Sequence, residues 1–303
     1  MNYCAMTALA AVLVTLSASA GAQDAQQAQG QQSSTSAAPG AVTSGDVNLT
    51  PRRLVFGPRD RGVKEITIFN RTSGTATYTI TLTDQAMTSD GAIVAPDKAP
   101  AAEQARLKSA LSFIRYSPRQ MTLGPHESQT VRLQARPPAG EPPAEYRTHF
   151  SVTATPPPDT GVDIAAAASG AQSDLLQVRV TPIYGIMIPI IVRTGELSAQ
   201  TSISNVHLVE SQGRRGIGFA INRSGGRSVY GGIDIYLEGS GSPKKIGGIR
   251  GLGVYSEIDQ RRVVIPIDPN APAVGPGSHV KIVYTDDELS PGTVLAQTEA
   301  TLS

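Results

Sequence analysis

LLQVRVTPIYGIMIPIIVR, Leu175 to Arg193, is the longest apolar run beyond the N-terminal segment of this 303-residue chain. In its first half Leu176, Val178, Val180 and Tyr184 share one parity, while Gln177, Arg179 and Thr181 hold the other. That alternation is the mark of a strand with one apolar face. From Ile186 to Val192 both parities are apolar, which fits a strand covered on both sides. Extended throughout at ~3.3 Å per residue, the run reaches ~60 Å, far past the usual strand of about 5–6 residues. A one-sided apolar edge of that length invites pairing with another chain. The alternative is a strand bent at Pro182 or Pro189 and paired within its own molecule.

Working outward, short alternating runs bounded by turn residues fill the chain on both sides. Upstream, Leu54-Val55-Phe56 precedes Gly57-Pro58, and Glu65 to Asn70 meets Thr75 to Leu82 across Arg71-Thr72-Ser73-Gly74, which predicts a hairpin. Residues 85–110 break the rhythm and predict an exposed loop with a turn or two of helix. Strands resume at Phe113 to Tyr116, Met121 to Leu133 and Glu145 to Ala154, and a low-complexity loop, 159–173, leads into the long run. Downstream, Ile203 to Val209, Gly216 to Ile221, Val229 to Leu237, Val263 to Ile267 and Val280 to Tyr284 repeat the texture, with Gly247 to Gly253 read as a flexible loop. The expected fold is all-β, with two immunoglobulin-like sandwiches over residues 46–193 and 197–303, joined at Arg193-Thr194-Gly195-Glu196.

Charge and composition narrow the function. With 26 Lys and Arg against 25 Asp and Glu, no strongly basic face is implied, so nucleic acid is not an expected partner. Residues Ala8 to Ala20 form an apolar core followed by the small residues Ala20-Gly21-Ala22, the pattern of an export signal over 1–22, although no Lys or Arg precedes it. Residues 23–45, rich in Gln, Ala and Ser, read as a disordered leader. Cys4, the single cysteine, falls in the signal, so the mature chain is expected to lack disulfides.

No catalytic constellation stands out. His126, His149, His207 and His279 have no metal-ligand spacing and read as ordinary surface or loop residues. No nucleophile elbow, phosphate loop or dinucleotide fingerprint occurs, so no enzyme activity, cofactor, metal or small-molecule substrate is expected.

Several pieces, in their order and spacing, resemble the PapD-like periplasmic chaperones of pilus and fimbrial assembly. They are Arg53-Leu54-Val55-Phe56, Asn70-Arg71-Thr72-Ser73, Phe113 to Pro118, Leu123 to Arg132, Glu145 to Phe150, Ile188 to Arg193 and Gly253 to Glu257. The resemblance spans nearly all of the chain from Val47. It implies a boomerang of two sandwiches, located in the periplasm, that lends a strand to an incomplete pilus subunit and hands that subunit to an outer-membrane usher. Chaperone–pilin pairs are themselves the known example of such strand addition, so this mechanism comes from the resemblance.

On that reading Leu176, Val178, Val180 and Tyr184 fill the subunit groove, Arg53 anchors the subunit's C-terminal carboxylate, and Arg193 ties the two sandwiches together. The family's second basic anchor, a lysine, falls on Pro189, and no lysine occurs between Lys108 and Lys244. Arg179 is the nearest basic residue earlier in the strand, and Arg147 stands where many relatives carry an acid. The competing class is a structural immunoglobulin-like surface subunit or adhesin, but residues 23–45 are too polar for the donor peptide such a subunit carries.

Overall fold

The computed structural model describes residues 46–155, 183–211, 213–239 and 241–303. The signal, the leader, and the positions Leu176, Val178, Arg179 and Val180 lie outside the described residues.

Alternation of Val, Ile, Tyr and Phe with Thr and charged residues makes strand the dominant element of the described chain, with one short α-helix and one 3-10 turn beside it. In the first sandwich, β1 (Val47–Thr50), β3 (Lys64–Asn70), β9 (Ser128–Ala135) and β7 (Ile114–Ser117) form a sheet in the order β1-β3-β9-β7. The facing sheet runs β2-β11-β10-β4-β8, with β2 at Leu54–Phe56, β11 at Gly185–Thr194, β10 at Ala144–Thr155, β4 at Ala76–Thr83 and β8 at Gln120–Leu123. Pro51 separates β1 from β2, and Pro118 separates β7 from β8. A residue without an N–H interrupts the ladder, and at both places the chain leaves one sheet for the other. Between the sheets lie Leu49, Phe56, Ile66, Ile68, Tyr78, Phe150, Ile190 and other residues of one core.

The second sandwich pairs β12 (Ala199–Ser211), β13 (Arg214–Gly225) and β16 (Gln260–Pro266) in one sheet. Its other sheet runs β15-β14-β17-β18, with β15 at Lys244–Val254, β14 at Val229–Glu238, β17 at His279–Asp286 and β18 at Val294–Thr301. The two-sheet order in both sandwiches is that of immunoglobulin-type folds.

Three sequence expectations change. The predicted hairpin between Glu65–Asn70 and Thr75–Leu82 does not form, because β3 pairs with β1 and β9 while β4 pairs with β10 and β8. The chain instead turns a corner between sheets, so that Ile66 and Ile68 face Tyr78 and Ile80 through the core. Buried Asn70 holds that corner. Its amide donates to the carbonyls of Gly74 at 2.7 Å and Gly124 at 2.8 Å, and its carbonyl accepts from the Thr72 N–H and the Tyr78 hydroxyl.

The second change is at Gly247 to Gly253, which belongs to β15 rather than to a flexible loop. A Cβ on Gly248 would lie 2.8 Å from the Ile233 carbonyl, so the glycine permits a close strand approach. Third, residues 85–110 do contain a short helix, α1 (Ala101–Arg106), but they are not simply exposed. Ala86 and Met87 are buried, in a small ladder of β5 (Ala86–Met87) with β6 (Ile93–Val94).

Candidate functional site

Strands β10 and β11 build the site, and their parity explains it. Tyr146, Phe150 and Val152 of β10 and Ile188, Ile190 and Val192 of β11 point into the first core. The intervening residues therefore share the opposite face, in register as Glu145 with Arg193, Arg147 with Ile191, and His149 with Pro189. Five of the six are buried, with Glu145, Arg147, His149 and Arg193 each under 7% exposed, and Pro189 is half-buried. Charged groups stay buried only with partners, and the second sandwich supplies them.

The Arg53 guanidinium, from the segment just before β2, donates through Nε at 3.0 Å and Nη2 at 2.6 Å to Oε2 of Glu288. Nη2 also donates to the Ser228 hydroxyl at 3.2 Å. Arg193 donates through Nη1 to the other Glu288 oxygen and through Nε to Glu145 at 2.8 Å. Glu145 in turn accepts the Ser228 N–H at 3.1 Å on each oxygen. Two arginines of the first sandwich thus enclose one carboxylate of the second, and Arg193 bridges it to Glu145. Burial pushes the Glu288 carboxyl upward, but the charges of Arg53 and Arg193 and their hydrogen bonds outweigh it and hold it below the usual range. Arg53 Nη1 and Arg193 Nη2 are buried and have no hydrogen-bond partner among the described residues. A cleft of about 300 Å³, lined by Val55, Pro58, Arg193, Leu197, Glu288 and Leu289, adjoins this corner.

A second buried pair stands beside it. Arg147 grips Glu257 bidentately, at 2.8 Å through Nη1 and also through Nη2, with the two side chains 2% and 1% exposed. The Arg147 guanidinium lies 3.8 Å from the centre of the Tyr255 ring, and Arg53 lies 4.7 Å from that of Tyr230. His149, expected at the surface or in a loop, is buried; burial and then the Arg147 charge lower its pKa to about 3, so it stays neutral near pH 7.

The opposite end of β11 has the reverse character. On one side β11 pairs with β10 along its whole length, but on the other β2 reaches only Ile190–Val192. Over Gly185–Pro189 no strand among the described residues pairs with that second edge. Pro189, lacking an N–H, fits such an edge. Ile183, Tyr184 and Met187 are 55%, 48% and 42% exposed, an unusual concentration of large apolar side chains.

Of the residues singled out from the sequence, Arg53 and Arg193 meet at Glu288, and Tyr184 stands ~30 Å away along β11 at ~3.3 Å per residue. The sequence reading missed Glu145, Glu257 and Glu288. A usable signal was present for the first of them: in Glu145-Tyr146-Arg147-Thr148-His149-Phe150 the alternate positions are all ionisable, next to a strand that is apolar on both parities. Glu257 ends the Gly253 to Glu257 piece of the resemblance but carries no role there, and nothing local marks Glu288; the roles of both come from the placement of the second sandwich. Among the described residues no group of three or more His, Cys, Asp or Glu is placed to hold a metal ion, and no helix is long and apolar enough to cross a membrane.

No family model and no curated protein matches the chain. Among solved structures it is similar to the Pseudomonas aeruginosa CupB2 chaperone, at 11% identity over 84% of this chain and 100% of that one, with a TM-score of 0.41. It is similar also to the E. coli chaperone DraB, at 14% identity over 85% of this chain and 97% of that one, with a TM-score of 0.38. A third likeness is to a chain of the complex of Salmonella enterica SafA pilin with the SafB chaperone, at 13% identity over 85% of this chain and 97% of that one, with a TM-score of 0.39.

Proposed function

We propose that the protein is a non-enzymatic periplasmic chaperone that captures pilus or fimbrial subunits by lending them a strand, and passes them to an outer-membrane usher. The observation that carries this reading is the edge of β11 over Gly185–Pro189, which lacks a strand partner among the described residues and is flanked by exposed Ile183, Tyr184 and Met187. The apolar alternation of Leu176, Val178 and Val180 continues that edge upstream in sequence. An incoming subunit that lacks its own last strand gains both backbone hydrogen bonds and apolar burial by pairing there. The direction of lending is supported by the strand order: among the described residues each sandwich has two sheets, with β11 inside one sheet of the first and β18 completing one sheet of the second. That argues against a surface subunit waiting for a donor.

At the other end of β11, Arg53 anchors the subunit's terminal carboxylate. Its Nη1, buried and without a hydrogen-bond partner among the described residues, is the group assigned to that carboxylate, since Nε and Nη2 are committed to Glu288 and Ser228; capture therefore requires this corner to open. Arg193 keeps the sandwiches joined through Glu288.

Changing Val178 and Val180 together to Asp tests the central step. Co-purification with a pilus subunit from the same cells is expected to vanish while circular dichroism and melting stay those of the parent. Undiminished co-purification rejects the assignment.

A further inference from the structure

We propose that the segment from Asp84 to Ala110 is a strap that fuses the two sandwiches into a single cooperative unit, whatever the chain's clients are. Both feet of the strap stand on Arg147 of the first sandwich. The Gln85 carbonyl accepts from the Arg147 guanidinium at 2.8 Å, the Lys108 carbonyl accepts the Arg147 N–H at 2.8 Å, and the Ala110 N–H donates to the Arg147 carbonyl at 3.1 Å. Ala110 is fully buried in the first core.

The middle of the strap belongs to the other sandwich. Met87 is 3% exposed and packs within the second core, with residues such as Leu252, Val254 and Ile258. Its N–H donates at 2.7 Å to Glu257, the same carboxylate that Arg147 grips. The Ser89 carbonyl accepts the Arg262 N–H at 2.7 Å, on the edge strand β16. Gly91, at φ +84°, lies so close to the Arg261 guanidinium that no Cβ fits between them. From α1, Arg106 holds Asp259 bidentately at 2.7 and 2.6 Å.

A methionine supplied by one sandwich to the core of another couples their unfolding, because the second core cannot stay intact once the strap leaves. Arg147 and Glu257 strengthen the coupling, since opening the strap strips buried Glu257 of a donor and buried Arg147 of an acceptor.

Scanning calorimetry of the full chain should give one transition, with calorimetric and van't Hoff enthalpies equal. The double variant Met87→Ser/Arg106→Ala should split that transition into two or lower the van't Hoff enthalpy to roughly half the calorimetric value. Two transitions in the parent, or an unchanged ratio in the variant, overturns the proposal. Native-state hydrogen exchange on the parent gives an answer that does not depend on the variant folding. The Met87 and Arg262 amides should exchange as slowly as the amides of both cores, through global opening. Exchange at Met87 and Arg262 a hundredfold or more faster, while both cores stay protected, also overturns it.

Discussion

At one end of the β10–β11 pair, Glu145, Arg147 and Arg193 are charged and buried; at the other, Ile183, Tyr184 and Met187 are apolar and exposed. Both ends lie on one antiparallel ladder, whose register runs from Gly185 to Thr194 with Ile183 and Tyr184 just before it. What separates them is the source of the partner. The charged end is closed by Glu257, Glu288 and Ser228, which the chain brings to it from the second sandwich. The apolar end has one edge without a strand partner among the described residues, and its exposed side chains fit a partner from another molecule. Burial alone therefore does not sort core from function here. The buried charges of Glu145, Arg147 and Arg193 hold the framework, and on the proposed function the exposed apolar residues are the working surface.

The contrast is broken most severely by removing one member of a buried pair. Arg147→Ala leaves the Glu257 carboxylate uncompensated and should lower stability by about 3–5 kcal/mol in urea titration. Replacing both, as Arg147→Met with Glu257→Leu, should recover most of that loss, because no buried charge is then left alone. If the single change costs less than about 1 kcal/mol, the pair is hydrated and the closed end is not closed.

Acid tests the same end more gently. His149, with its pKa lowered to about 3, is neutral when folded, whereas the unfolded residue titrates near 6.5. Between those values the unfolded state binds the extra proton, so stability falls as pH falls, with a slope approaching about 1.4 kcal/mol per pH unit. Between pH 6 and pH 5 the expected loss is about 1 kcal/mol, and His149→Gln should abolish it. The Glu288 carboxyl has the opposite origin: its folded pKa is depressed, so its contribution is present above pH 4.5 and disappears only below that. An unchanged pH slope in the His149 variant contradicts the burial assigned to the imidazole.

The smallest effect on stability belongs to the apolar end. Met187→Asp should change unfolding free energy by less than about 0.5 kcal/mol, as an exposed substitution, yet abolish subunit capture. A large loss of stability would mean that Met187 packs against its own chain, and unaltered capture would separate it from the working edge.

The strand content was legible because alternation of Thr and Ile, Tyr and Phe requires no knowledge of neighbours. The corner at Asn70 was not, because two adjacent alternating runs look the same whether they lie side by side or face each other. Only the six hydrogen bonds made by the Asn70 side chain decide it. Arg53 and Arg193 stand out only through the resemblance to pilus chaperones, and their shared partner, Glu288, sits 95 residues beyond Arg193 in a loop with no distinguishing pattern. Met87 was hidden for the same reason: a single apolar residue in a polar stretch gives no sign of which core receives it.

Hydrogen exchange on the complex with a captured pilus subunit tests the working edge most directly. The amides of Gly185 and Met187, which face away from β10, and of the non-proline residues upstream from Leu176 to Ile183 should become protected by at least tenfold over the free protein, while those of β18 stay unchanged. Capture that proceeds with exchange along β11 and its upstream stretch left as it was would contradict strand lending as the mode of binding.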